Sequence, residues 1–210
     1  MNKLHGFSKS KTHGPALLVL SLLLSACADN PAPLNSERIA MRYGSYGVEV
    51  LSMRDGVRRS SLYSLDNGER VTRTYAVVKF NVPPDSSIYA LIENQHARIL
   101  RGASIGSTFQ DTGWVVAKRS SYIGTLKVPL GSGRLQQLMQ LSGTLHVAMH
   151  IYSFQIRKDS QIIDYATIIE LQHPDFVDQD MLSTWYAVDP SIALSDAALM
   201  TLKKLALAGL

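Results

Sequence analysis

"LHVAMHIYSFQIRKDSQIIDYATIIELQ", residues 145–172, decides the architecture. Two runs rich in Val, Ile, Tyr and Phe flank the polar turn Lys158-Asp159-Ser160, so Leu145 to Arg157 and Gln161 to Gln172 are predicted to form the longest hairpin of the chain. If Arg157 pairs with Ile162 and the register continues without interruption, His146 falls opposite His173. The same register collects Val147, Met149, Ile151, Ile168 and Glu170 on one face. Tyr152, Phe154, Tyr165, Ile169 and Leu171 then occupy the other. Both faces are apolar, so both are expected to be covered and the hairpin to be central. Glu170 becomes a partly buried carboxylate, which requires a cation or several donors around it.

Outward from the hairpin, the first half of the chain reads as a meander. Val48 to Met53, Arg59 to Leu65 and Val71 to Phe80 are strand-like, joined by Asp55-Gly56 and Asn67-Gly68, both favoured two-residue turns. Pro83-Pro84 ends the third strand. A helix is predicted over residues 86–100, capped by Ser86 or Ser87 and closed at Gly102. "GASIGSTFQDTGW" (102–114) reads as a glycine-containing loop, Trp114 to Lys118 and Tyr122 to Val128 as two further strands, and "PLGSGRLQQLMQ" (129–140) as a turn with a short helix. Residues 195–208 read as a last helix, with Ser195 as N-cap and Leu199, Leu202 and Leu205 as its packing stripe. The fold class is therefore α+β: an antiparallel sheet of about six to seven strands, meander plus long hairpin, packed with helices.

"YAVVKFNVPPD" (75–85) and "YATIIELQHPD" (165–175) match at Tyr75/Tyr165, Ala76/Ala166, Pro84/Pro174 and Asp85/Asp175. Each ends a hairpin and leads into Pro-Asp, which suggests a duplicated half. In element order, meander, helix, glycine loop and second hairpin, the mature domain resembles the chorismate lyase-like α+β domains and the small-molecule sensing domains that share that fold. The resemblance implies a ligand held between sheet and helical loops.

The N-terminus carries an address. Lys3, Lys9 and Lys11 form a positive start without acidic residues; "PALLVLSLLL" (15–24) is a short apolar run; Ser25 and Ala26 precede Cys27, the single cysteine. Such a run is too short to span a hydrocarbon core of ~30 Å, and the three-part pattern is that of a secretory leader. Leu24-Ser25-Ala26-Cys27 resembles the lipobox of bacterial lipoproteins. The resemblance implies cleavage before Cys27, a diacylglycerol on its thiol and an acyl chain on its new amino group, with no other cofactor. Ala28, rather than an aspartate, follows the cysteine, which favours the periplasmic face of the outer membrane over the inner membrane. The expected division is leader 1–26, lipidated Cys27 with a Pro-containing tether to about residue 40, and one domain over 41–210.

Removing the leader lysines takes the formal charge from +4 to near +1, with 18 basic residues against 17 acidic, so the basic balance of the whole chain offers no basis for nucleic-acid binding. No thiol beyond Cys27 exists to form a disulfide, and no GxSxG elbow or P-loop is present.

Three site candidates remain. His146 and His150 spell HxxxH, but on a strand they stand about 13 Å apart and cannot share a zinc. His146 with His173 across the hairpin is the better metal pair, with Asp175 the nearest third ligand. Gly102, Ser104, Gly106 and Ser107, with Thr108, form a candidate anion-binding loop, and Glu170 a candidate ligand contact. Arg58-Arg59 and Lys118-Arg119 read as solvated surface charge, and Trp185-Tyr186 as a core or docking anchor. The sequence favours a non-enzymatic binding or envelope-assembly module, membrane-attached through lipid and contacting an envelope protein or a small ligand. The alternative is a small-molecule sensor or enzyme with its pocket between the glycine loop and the central hairpin.

Overall fold

The structure, a computed structural model, describes residues 33–129 and 133–208. The leader and Cys27 lie outside these residues, as does part of the predicted turn before the short helix. The elements run α1 (Asn35–Tyr43), β1 (Gly47–Arg54), β2 (Val57–Asp66), β3 (Glu69–Phe80), α2 (Ser87–Leu100), α3 (Ile105–Gln110), β4 (Val115–Val128), α4 (Gly133–Leu138), β5 (Leu145–Lys158), β6 (Gln161–Gln172), α5 (Gln179–Trp185), a three-residue helical turn (Pro190–Ile192) and α6 (Asp196–Leu207). Six antiparallel strands form one sheet in the order β1-β2-β3-β6-β5-β4. The α+β class and the central hairpin are as expected. Trp114 to Lys118 and Tyr122 to Val128, expected as two strands, are joined in the single strand β4, which begins at Val115 and is bent where Ser121 is inserted between Ser120 and Tyr122.

Local chemistry explains most boundaries. Asp55-Gly56 and Asn67-Gly68 each place two successive residues at positive φ, the left-handed pair that a tight hairpin turn demands. Ser86 caps α2 by accepting from the Tyr89 N–H, and Ser195 caps α6 by accepting from Ala198. α1 was not expected. The Glu37 carboxylate accepts the Leu34 N–H at 2.7 Å, and Gly44, at φ +70°, closes the helix with a bond to the Ala40 carbonyl. Ile39 on α1 is fully buried against Phe176, Val177 and Leu182. The tether boundary at residue 40 is thereby corrected: the folded body already includes Leu34 and Asn35, both buried.

The hairpin register carries the main correction. β5 and β6 pair as predicted from Lys158–Gln161 to Gln155–Asp164, but the next pair is Phe154–Ala166. Tyr165 is an extra residue, a β-bulge, and beyond it every partner moves by one. Glu170 therefore opposes His150 and shares a face with Ile168, Tyr152 and Phe154. Ile169 and Leu171 join Val147, Met149 and Ile151 on the opposite face. His146 pairs with Lys127 on β4 and not with His173. The bulge also breaks the equivalence suggested by the internal match: Tyr75 packs in the cluster with Ile169, whereas Tyr165 packs with Ile168 on the other side.

Both faces are covered. On the Tyr152 face lie α1, α2, α3 and α5, with Ile92, Ile99, Phe109 and Ile39 at their contacts. On the Ile151 face lie α4 and α6, docked through Leu135, Ala206 and the Leu199, Leu202, Leu205 stripe. Two further irregularities sit near the sheet edges. Leu51 is inserted in β1, and the segment at Val188–Asp189 bridges Ser120 of β4 and clamps it through Arg119–Asp189. Among the described residues, no helix is long and apolar enough to cross a membrane.

Ile169 is 1% exposed at the centre of the sheet, and Ile162, seven residues earlier on the same strand, is 65% exposed. Truncating Ile169 to Ala is expected to cost about 3 kcal/mol, and truncating Ile162 less than about 0.5 kcal/mol, in chemical denaturation.

Candidate functional site

On the Tyr152 face the sheet does not close against its helices. The pairing Ser60–Ala76–Glu170–His150 runs straight across β2, β3, β6 and β5. Serine and alanine at its β2 and β3 positions are too short to reach the layer above. They leave a pocket of about 70 Å³. Its floor takes residues from all six strands, including Val48, Arg58, Lys118, Phe154 and Ile168. Its roof is the start of α1 (Leu34, Asn35, Ser36), Tyr46, and the start of α3 (Ser104, Ile105, Gly106). Gly106 lets Leu34 close over the pocket, since a Cβ at that position would stand 2.5 Å from a Leu34 methyl and displace that side chain. The volume is well below the ~300–1,000 Å³ of drug-sized sites. At 10–15 Å³ for each water-sized occupant it takes roughly five to seven heavy atoms.

The charged groups of the lining are held differently. Arg58 is 2% exposed. It donates through Nε to Ser60 Oγ at 2.8 Å and through Nη1 to the carbonyls of Ile99 and Ala103 at 2.8 and 3.1 Å, so it also ties the end of α2 to the sheet. No carboxylate lies within ion-pair distance of it among the described residues. Burial pushes its pKa down from the usual guanidinium value, though it stays protonated. Glu170 accepts from Tyr152 Oη at 2.9 Å and Gln172 Nε2 at 3.3 Å, and Thr74 in turn fixes Gln172 at 2.7 Å. Lys118 Nζ stands 3.7 Å from Glu170 and 4.6 Å from the Tyr152 ring centroid, but makes no hydrogen bond. Burial, then the neighbouring Glu170 charge, hold the Tyr152 phenol far above its usual pKa.

Three lining atoms are buried without a hydrogen-bond partner in the protein: Asn35 Nδ2, Tyr46 Oη and Lys118 Nζ. Burial raises the Tyr46 pKa, opposed by the nearby Ser104 hydroxyl, the Arg58 charge and the Ser36 hydroxyl. An unpartnered buried polar atom costs about 1–3 kcal/mol. Three around one small volume mark a place where the fold has left bonding capacity open.

Of the expected site residues, the structure brings Ser104, Gly106 and Glu170 to one pocket. Gly102 ends α2 at φ +110° beside Val50, and Ser107 lies within α3; neither lines the pocket. Ser104 holds the N-cap position of α3, without a side-chain cap bond. The His146–His173 metal pair is not formed. His146 is exposed. His173 has both ring nitrogens engaged, Nε2 donating to the Met139 carbonyl at 3.0 Å and Nδ1 accepting from the Asp175 N–H at 3.0 Å. Among the described residues there is no cluster of three metal-ligating side chains. Trp185 lies under the Arg38 guanidinium at 3.6 Å, and Tyr186 stacks on His150 at 4.6 Å.

Arg58, Lys118, Asn35 and Tyr46 were missed. For Arg58 a signal existed: in "VRRSSLY" (57–63) it alternates in phase with Ser60 and Leu62, while Arg59 points the other way. For Lys118 the signal was the cation that a buried Glu170 requires. No protein-family model, curated protein or solved structure matches this chain.

Behind the pocket wall His150 is fully buried, with Nε2 at 2.8 Å from Ser120 Oγ. Burial first, then Lys118 and Arg38, lower its pKa to about 3; His96 and His173 are also lowered, chiefly by burial. The unfolded chain takes up these protons near pH ~6.5 and the native state does not. Stability is therefore complete above that value and falls as pH drops from ~6.5 toward 3, by up to ~1.4 kcal/mol per pH unit for His150 alone. Urea midpoints compared at about pH 7, 6 and 5 should decline in that order, and His150→Gln should flatten the slope.

Proposed function

We propose that this chain is a bacterial lipoprotein, anchored through Cys27 to the periplasmic face of the outer membrane, whose domain binds a small molecule in the pocket beneath α1 and α3. One observation carries the ligand part of the reading: Asn35, Tyr46 and Lys118, each with a buried polar atom that makes no hydrogen bond, line one volume. A pocket kept for packing alone would be dry and apolar. The glycine loop and the central hairpin both contribute, through Ser104, Gly106 and Glu170, so the pocket alternative drawn from the sequence is preferred to a flat protein-binding surface. The role is binding or sensing. Glu170 and Arg58 are tied to the fold by Tyr152, Gln172, Ser60 and two backbone carbonyls, while Lys118 makes no hydrogen bond, which suits recognition. The anchor part rests on Leu24-Ser25-Ala26-Cys27. Acyl chains contribute about 0.8 kcal/mol per buried CH₂, enough to hold a domain at a bilayer without a spanning helix.

Labelling cells with a fatty-acid analogue should mark the wild-type chain and leave Cys27→Ala unmarked. Native mass spectrometry of the purified lipoprotein, followed by denaturation, should release a small molecule. Ala76→Leu, which fills the gap beside Ser60, should fold and release none. Unmodified Cys27 would remove the anchor; a ligand retained by Ala76→Leu would remove the pocket.

A further inference from the structure

We propose that the molecule bound in this pocket is a compact organic monoanion, a carboxylate on a short apolar body; this rests on the reading of the pocket as a ligand site. The pocket is asymmetric in what it leaves unmet. The Asn35 amide nitrogen and the Lys118 ammonium can only donate, and the Tyr46 hydroxyl can donate. The one carboxylate of the lining, Glu170, already accepts from Tyr152 and Gln172 and faces Lys118. The unmet atoms are chiefly donors, which favours a ligand that brings acceptors over an amine.

Charge sets the valence. Arg58 and Lys118 share the lining with the single anion Glu170, which only Lys118 approaches, leaving one positive charge in a site where every charge is largely out of water. A monoanion neutralises it; a dianion would leave the site negative, at a high desolvation cost. Position agrees with charge. Asn35 is the first residue of α1, a nine-residue helix, where partial positive charge gathers. Asn35 is itself 7% exposed, and its amide nitrogen is unpartnered. Most of the rest of the wall, including Leu34, Val48, Leu62, Val78, Phe154 and Ile168, is apolar and suits a hydrocarbon body; Ser36, Ser60 and Ser104 add three hydroxyls. Room for roughly five to seven heavy atoms corresponds to a carboxylate of about four or five carbons.

The test uses the full lipoprotein in detergent micelles, with ligand-observed NMR and calorimetric titration of matched probes: valerate, valeramide, pentanol and pentylamine. Valerate should bind at least tenfold more tightly than valeramide or pentanol, and pentylamine should not bind. Lys118→Gln and Tyr46→Phe should each weaken valerate by about tenfold to a hundredfold while leaving valeramide nearly unchanged. Should Lys118→Gln prove unstable, Asn35→Asp serves instead; it places a carboxylate against the probe and should abolish valerate binding. Equal binding of valerate, valeramide and pentanol, lost in Ala76→Leu, would overturn the monoanion and keep the pocket. Binding of no probe by the wild type, or binding unaffected by Ala76→Leu, would overturn the pocket itself.

Discussion

The antiparallel pairing of β5 with β6, with Tyr165 as its one surplus residue, is the constraint on which the remaining structure rests. Before the bulge, partners follow directly from the turn; after it, each residue of β6 has changed sides relative to the uninterrupted register. The change puts Ile169 and Leu171 into the cluster beneath α4 and α6, and it turns Glu170 toward α1 and α3. The bulged residue is also put to use. Tyr165 reaches into the helical layer, where its hydroxyl meets His96 Nδ1 at 2.8 Å and its ring stands edge-on to Phe109 at 4.8 Å. A local insertion thus locks α2 and α3 over the sheet and fixes which carboxylate they cover.

The legible and illegible parts of the fold divide along physical lines. Turns were legible because Asp55-Gly56 and Asn67-Gly68 need left-handed backbone that few other pairs tolerate. Caps were legible at Ser86 and Ser195, whose hydroxyls replace missing backbone partners. The bulge was not, because β6 is apolar on both faces: with Ile162, Ile163, Ile168, Ile169 and Leu171 in one strand, the hydrophobic pattern has no polar side to report a slip. α1 escaped notice for a related reason. Its start contains Pro33 and Asn35, residues of loop character, and its cap is a Leu34 backbone N–H held by Glu37, a bond that leaves no Ser or Thr signature.

The pocket was half legible. Glu170 could be marked as buried because its neighbours in sequence are all apolar. Ser104 and Gly106 could be marked because of the glycine loop. Arg58 and Lys118 carried weaker signals, the phase of Ser60 and Leu62 and the cation a buried Glu170 requires; charged residues in strands usually point to water, and sheet order is what brings both to the face of Tyr152. Burying two cations and one anion beneath a thin helical layer is expensive, and the fold offsets it by pairing and by backbone carbonyls at the end of α2. It does not complete the offset at Asn35, Tyr46 and Lys118. Buried polar atoms of Arg38, Arg59, Tyr75, His150 and Tyr186 also lack partners, so what sets Asn35, Tyr46 and Lys118 apart is that all three line one pocket.

The edges of the sheet remain. β4 has part of its outer side occupied by the segment at Val188–Asp189, and β1 is interrupted by Leu51. An open strand edge is a template for any other chain with free amides and carbonyls, and its danger grows with local concentration. The clasp on one border and the kink on the other shorten the straight stretch available for copying, so a second copy finds little to zip onto, and self-assembly into fibrils is discouraged at its first step.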